Sequence, residues 1–307
     1  MKNTLLALVA ASSLVGCIQQ DSAPDDLQKA IPTSDQVRIN LPDGGNAKTV
    51  GQLADWYVAT RNVTRMFNGG SAWVLVLVHT IVQYPVTTVS GDTYTWGPWH
   101  DALSPAEYKL DVTDNGDGTY DYALSGRSRT EAGAQFEKVI DGFADPRNGE
   151  LQGNGHFTLD FEASRRVNPI DADADARGTM AATYDLQARH LDLAIASTND
   201  AGEPVDADYA YNEAADGVGD MVFSFNENAG GTAAQEQVVL RSRWQSTGAG
   251  RSDARLSGGD LTTAAIASEC WSDTFKRTYY TDNASFAPTE GDVANCAFAT
   301  ADLPPSI

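Results

Sequence analysis

Three aspartates spaced two residues apart form the densest group of potential metal ligands in the sequence. They are Asp171, Asp173 and Asp175, within the segment DADADARG. Calcium prefers carboxylate oxygens, but an EF-hand loop requires glycine at its sixth position and an acid at its twelfth. Alanine occupies both positions here, at 176 and 182. We therefore expect an acidic surface loop with no metal or cofactor, and calcium binding in another geometry stays open.

The other reactive side chains form no recognisable catalytic motif. The four histidines are scattered, and no two of them have the spacing of metal ligands; they are His79, His100, His156 and His190. The sequence contains no G-x-S-x-G, no H-E-x-x-H and no phosphate-binding glycine loop. With 42 acidic residues, carboxylate pairs arise by coincidence and do not indicate a glycosidase. We expect a protein that is not an enzyme, and a hydrolase is the less favoured alternative.

The N-terminal segment predicts secretion and attachment to a membrane. A basic residue precedes an apolar stretch over residues 5–15, which is too short to span a bilayer. The stretch ends in LVGC, and this tetrapeptide resembles the lipobox of bacterial lipoproteins. The resemblance covers residues 1–17. It implies that a signal peptide over 1–16 is removed and that Cys17 carries palmitate or similar acyl chains, whereas the alternative is an ordinary secretory signal. It also implies the outer membrane of a Gram-negative bacterium, because Ile18 stands where aspartate would retain the protein at the inner membrane.

Lipidation of Cys17 leaves two of the three cysteines, Cys270 and Cys296. In an oxidising compartment such a pair predicts a disulfide bond. Closing a loop of this length contributes about 3.5 kcal/mol in the chain-entropy model. A metal site is the alternative, but two cysteines without a nearby histidine do not complete a tetrahedral shell.

The charge of the chain restricts its partners. Beyond residue 16 there are 20 basic and 42 acidic residues, a formal charge of −22. Nucleic-acid-binding proteins carry basic patches, so this composition excludes that class. It also disfavours adhesion to anionic headgroups, so we expect the lipid anchor to make the membrane contact. The sequence does not identify a protein partner.

The hydrophobic pattern changes once along the chain. Residues 17–34 are polar and predict a tether. Apolar residues then recur with a helical period from 49 to 67, and a nearly all-apolar segment follows from 72 to 82. We expect two helices, separated at Asn68–Gly70, although the β-branched content of the second segment leaves a central strand as an alternative. From about 93 to 300, alternating residues and short turns predict strands.

The expected architecture is α+β, in one globular domain over residues 35–307. Two N-terminal helices, over about 49–84, would cover one face of a mostly antiparallel meander of about ten strands. A sheet of this size can curve into a half-barrel, and it would then resemble the lipoprotein-carrier half-barrels of the periplasm in fold alone. That resemblance implies a lipid or other apolar ligand between sheet and helices. The alternative is a structural or protein-interaction lipoprotein without a small-molecule site.

Overall fold

The alternating segments form one antiparallel sheet in the computed structural model. It describes residues 33, 38–42, 53–82, 85–149, 152–170, 177–198, 202–228 and 234–303, with backbone alone at 66, 67 and 69–80. Within these ranges the sheet has fifteen strands, and each pairs with the strands before and after it in sequence. The first eight strands are β1 (Thr88–Ser90), β2 (Thr93–Trp99), β3 (Ala106–Asp114), β4 (Tyr120–Ser128), β5 (Glu137–Asp145), β6 (Asn154–Asp160), β7 (Thr179–Asp185) and β8 (His190–Thr198). The others are β9 (Pro204–Glu213), β10 (Gly219–Glu227), β11 (Glu236–Trp244), β12 (Gly250–Gly258), β13 (Ala265–Trp271), β14 (Arg277–Asp282) and β15 (Glu290–Gly291).

The sheet is open, because β1 and β15 form its two edges and do not pair with each other. The predicted antiparallel meander is confirmed, but the predicted number of about ten strands is wrong. The turn between β7 and β8 shows why. It consists of residues 186–189, which include no glycine or proline, and Arg189 adopts a left-handed φ of 50°. A turn of this composition does not separate two strands in the sequence.

A single N-terminal helix, α1 (Asp55–Val82), replaces the two that we expected. The predicted break at Asn68 does not occur, and the structure supplies a reason. The side-chain amide of Asn68 accepts a hydrogen bond from the backbone N–H of Ile39 and donates one to its carbonyl, both at 3.0 Å. Because its side-chain amide is engaged with Ile39, Asn68 does not compete for the backbone hydrogen bonds of the helix. Among the described residues, no helix has both the length and the apolarity needed to cross a membrane.

A second helix, α2 (Phe161–Val167), follows β6 directly. The carboxylate of Asp160 caps it by accepting a hydrogen bond from the N–H of Ala163 at 2.9 Å. Ala163 and Val167 are buried in the main core. The α part of the predicted fold is therefore one long N-terminal helix and one short helix within the meander.

The main core lies on one face of the sheet, which we call the inner face. Aromatic and aliphatic side chains from β2 to β12 fill it, together with the C-terminal end of α1. Tyr122 on β4 and Tyr184 on β7 lie against Gly142 and Gly155 of the neighbouring strands, so closely that a side chain at either glycine would collide with a phenol ring. Along each strand, residues that point into this core alternate with residues on the opposite face, which we call the outer face.

The N-terminal end of α1 is fixed to the inner face by polar contacts. The buried carboxylate of Glu269, on β13, accepts hydrogen bonds from the backbone N–H groups of Asp55 (3.1 Å) and Trp56 (2.5 Å). One turn further along, the hydroxyl of Thr60 lies 2.6 Å from that of Ser242 on β11. These contacts place the start of the helix over β11–β13.

The C-terminal segment covers the outer face of β12 and β13. Cys270 and Cys296 lie at disulfide bonding distance, 2.09 Å, as the sequence predicted. The guanidinium of Arg251 donates hydrogen bonds to the carbonyls of Phe298 (3.2 Å) and Ala299 (3.0 Å), and it also bonds Asp253. Both faces of β12 are therefore buried at this point.

Candidate functional site

A depression of about 390 Å³ lies on the outer face of β7–β10, and we call it the outer groove. Three alanines, Ala181, Ala194 and Ala210, give it a shallow apolar lining. Two carboxylates stand among them. Strand register pairs Asp192 with Ala210 and Ala194 with Asp208, so the two aspartates are diagonal neighbours on β8 and β9. Diagonal positions of an antiparallel pair lie about 7–8 Å apart.

The surface around the groove is acidic. The outward positions of β6–β10 carry six aspartates and, along these fully described strands, no lysine or arginine: Asp160, Asp185, Asp192, Asp206, Asp208 and Asp220. Arg241 on β11 pairs with Asp220 at 2.6 Å and with Asp302 at 2.7 Å. Arg189 pairs with Glu213 at 2.5 Å. Of the two carboxylates in the groove, Asp208 has no basic partner among the described residues, and Asp192 has only His190.

His190 lies beside the groove and is held by two hydrogen bonds. Its Nε2 is 2.7 Å from the Asp192 carboxylate, and its Nδ1 is 2.7 Å from the amide oxygen of Asn212. Burial lowers the pKa of His190, but these hydrogen bonds and the charges of Asp192 and Asp185 outweigh it, so the pKa is raised. Because both ring nitrogens are engaged, neither is directed at a serine or threonine hydroxyl.

Several polar side chains of the groove, among them those of Ser224 and Asp208, have no hydrogen-bond partner among the described residues. The hydroxyl of Ser224, on β10, belongs to a residue that is only 3% exposed. Asp208 faces Ser224 across the β9–β10 pair and is exposed. The groove therefore offers acceptor atoms that are not already used within the described part of the fold.

The structure tests few of the residues predicted from sequence. Cys17 lies outside the described residues, as do Asp171, Asp173 and Asp175. Of the histidines, His156 stacks on Phe143, with ring centres 5.6 Å apart. His100 lies 4.0 Å from the carboxylate of Glu107. Across the described ranges, no group of three or more histidine, cysteine or acidic side chains is arranged to hold a metal ion.

The predicted space between sheet and helix can be followed at the start of α1. There Tyr57, Thr60 and Thr64 are buried, and Thr60 reaches Ser242 on the sheet. The side chains at 69–80 lie outside the described residues. An apolar ligand between sheet and helix therefore stays a prediction.

Comparison with models of protein families, with curated proteins and with solved structures found no match. The outer groove was not predicted from the sequence either. One signal was available, because the 63 residues between Arg177 and Arg241 contain a single lysine or arginine, Arg189. Such a long stretch with so few lysine or arginine residues indicates an acidic face, although it does not locate a groove.

Proposed function

We propose that this protein is a lipid-anchored component of the cell envelope that binds a partner protein through the outer face of β6–β10. The observation that carries the proposal is the outer groove, set in a face whose strands bear carboxylates and no lysine or arginine. Electrostatic complementarity steers association and selects partners. The partner surface should therefore carry lysine or arginine side chains.

The acidic composition supports the same proposal. A formal charge of −22 beyond residue 16 creates a negative field that attracts cationic surfaces and repels anionic lipid. Acylation of Cys17 would hold such a body at the membrane, where a single chain binds marginally and two or more bind stably. The acyl chains would then supply the membrane contact, and the acidic sheet, which anionic headgroups repel, would be left to bind protein.

We further propose that the sheet curves around α1 as a half-barrel. Glu269 on β13 holds the N-terminal end of the helix, and Val82 at its other end lies in the core that β2 to β12 share. A single core spread over these strands supports curvature, with the outer groove on the solvent side.

Photo-crosslinking in the native envelope tests the binding proposal. A photoreactive residue at Ala196, exposed on β8 beside the groove, should give an adduct whose partner peptide is rich in lysine or arginine. The same residue at Ala132, exposed in the loop between β4 and β5, is the matched control and should not. The adduct should disappear in an Asp192→Asn/Asp208→Asn background. No adduct at Ala196, or equal adducts at both positions, would contradict the proposal.

A second candidate function is binding of a ligand with an apolar body and a polar group against the inner face. It is favoured by the hydroxyls of Tyr122 and Tyr184, which are buried and have no hydrogen-bond partner among the described residues. Burial raises the pKa of both phenols, so both remain neutral donors. Extraction and mass spectrometry of the purified protein should then recover a stoichiometric lipid; a lipid-free extract argues against this candidate.

A further inference from the structure

Three acceptor groups converge on the outer groove. Asp192 uses one carboxylate oxygen for His190, and its other oxygen has no partner among the described residues. Asp208 has neither a hydrogen bond nor an ion pair there. The hydroxyl of Ser224 faces Asp208 across β9 and β10 and is equally unused, although its residue is 97% buried. No described residue forms a hydrogen bond with the free carboxylate oxygen of Asp192, with Asp208 or with the hydroxyl of Ser224.

The shape of the groove limits what those acceptors can bind. Its alanine side chains leave a shallow apolar surface, and its volume of about 390 Å³ is at the small end of ligand sites. A metal ion is a poor fit, because the described residues offer no cluster of three ligands. The acceptors are spread over neighbouring strands, so a planar donor that spans them fits better than a point charge.

We infer that the outer groove binds one arginine side chain of the partner protein. A guanidinium presents five N–H donors in a rigid plane, and it is weakly hydrated, so it can lie on alanine and bond both aspartates. An ammonium is compact and strongly hydrated, so lysine should bind more weakly. This inference rests on the proposed function and specifies the chemical group that the acidic face recognises.

Titration with a defined peptide tests the inference. The probe is acetyl-Gly-Gly-Arg-Gly-Gly-amide, added to the purified full-length protein while its amide NMR spectrum is recorded. The amides of β7–β10 that surround the groove should shift. The same peptide with citrulline, which keeps the shape of arginine without its charge, should bind at least tenfold more weakly, and the lysine peptide should be intermediate.

Two neighbouring aspartates provide the matched variants. Asp208→Asn should weaken binding of the arginine peptide at least tenfold, whereas Asp206→Asn makes the same charge change outside the groove and should stay within twofold. Ser224→Ala should weaken binding about threefold or more. Equal binding of the arginine and citrulline peptides, equal effects of the two aspartate variants, or no shifts at the groove would overturn the inference. If a peptide with many basic residues still binds the outer face, the proposed function survives that result; if it does not, both fail.

Discussion

The imidazole Nε2 of His190 lies 2.7 Å from the carboxylate of Asp192 on the outer face of β8. The imidazolium form is favoured in the fold, so we expect the pKa of His190 to exceed its ordinary value of 6.5. A raised pKa stabilises the fold fully below pH 6.5, and this contribution is lost as pH rises through the pKa of the folded state. NMR titration of the ring protons measures it.

Asp192→Asn should lower the pKa of His190, because it removes the carboxylate that stabilises the imidazolium. Asp206→Asn, in which the lost charge is on β9 and does not bond His190, is the control and should leave the pKa nearly unchanged. A His190 pKa at or below 6.5 in the parent, or the same pKa in both variants, would show that the ion pair does not form in solution.

Removal of the Glu269 carboxylate should lower the free energy of unfolding substantially. Its fully buried carboxylate caps α1 and pairs with Arg277, whose side chain is itself 13% exposed. Glu269→Ala leaves two helical N–H groups without an acceptor, and Arg277 keeps only its more exposed partners Asp55 and Glu290. We therefore expect a loss of about 2–4 kcal/mol in the free energy of unfolding. Glu290→Ala, which removes a 62% exposed partner of the same arginine, should cost less than about 0.5 kcal/mol. Urea denaturation compares them, and similar losses would contradict the capping role.

The Cys270–Cys296 pair should stabilise the C-terminal segment over β12 and β13. Replacing both cysteines by alanine should lower the free energy of unfolding by about 3.5 kcal/mol, the loop-closure value for this spacing. A reductant should destabilise the parent by a similar amount and leave the double variant unaffected. Amide exchange near residue 299 should also accelerate, because the carbonyls that accept from Arg251 lie there. A parent that resists denaturation equally with and without reductant would contradict this account.

Lipidation at Cys17 predicts incorporation of labelled palmitate into the full chain in its native host. Cys17→Ala should abolish the label and release the protein from the membrane fraction, because removal of the acyl chains removes the anchor. Cys296→Ala also lacks one thiol, but it should retain both label and membrane association. Label in Cys17→Ala would place the modification elsewhere.

The sequence predicted the parts of the fold that depend on local pattern. Alternation and short turns indicated the meander, and cysteine counting indicated the pair that lies at disulfide distance. The continuity of α1 was not predicted because it depends on a tertiary contact between Asn68 and Ile39. The local sequence at Asn68 indicates a helix end and does not reveal that contact.

The outer groove depends on strand register, and that is why it was not predicted. Asp192 and Asp208 belong to different strands and become neighbours only through the pairing of Asp192 with Ala210 and of Ala194 with Asp208. A shift of one residue would exchange the faces on which they lie. The sequence shows the excess of acid, but pairing in three dimensions decides which carboxylates stand together.

The central claim is that the outer face of β6–β10 binds cationic protein surface, and fluorescence anisotropy with a labelled lysine- and arginine-rich peptide tests it most directly. Two triple variants with equal net charge are compared. One neutralises Asp192, Asp206 and Asp208 on the outer face; the other is Asp92→Asn/Glu131→Gln/Asp273→Asn, three exposed carboxylates in turns and loops. We expect the first to weaken binding at least tenfold and the second less than threefold. Equal losses in the two variants would mean that the peptide senses net charge alone, and would contradict a binding role for this face.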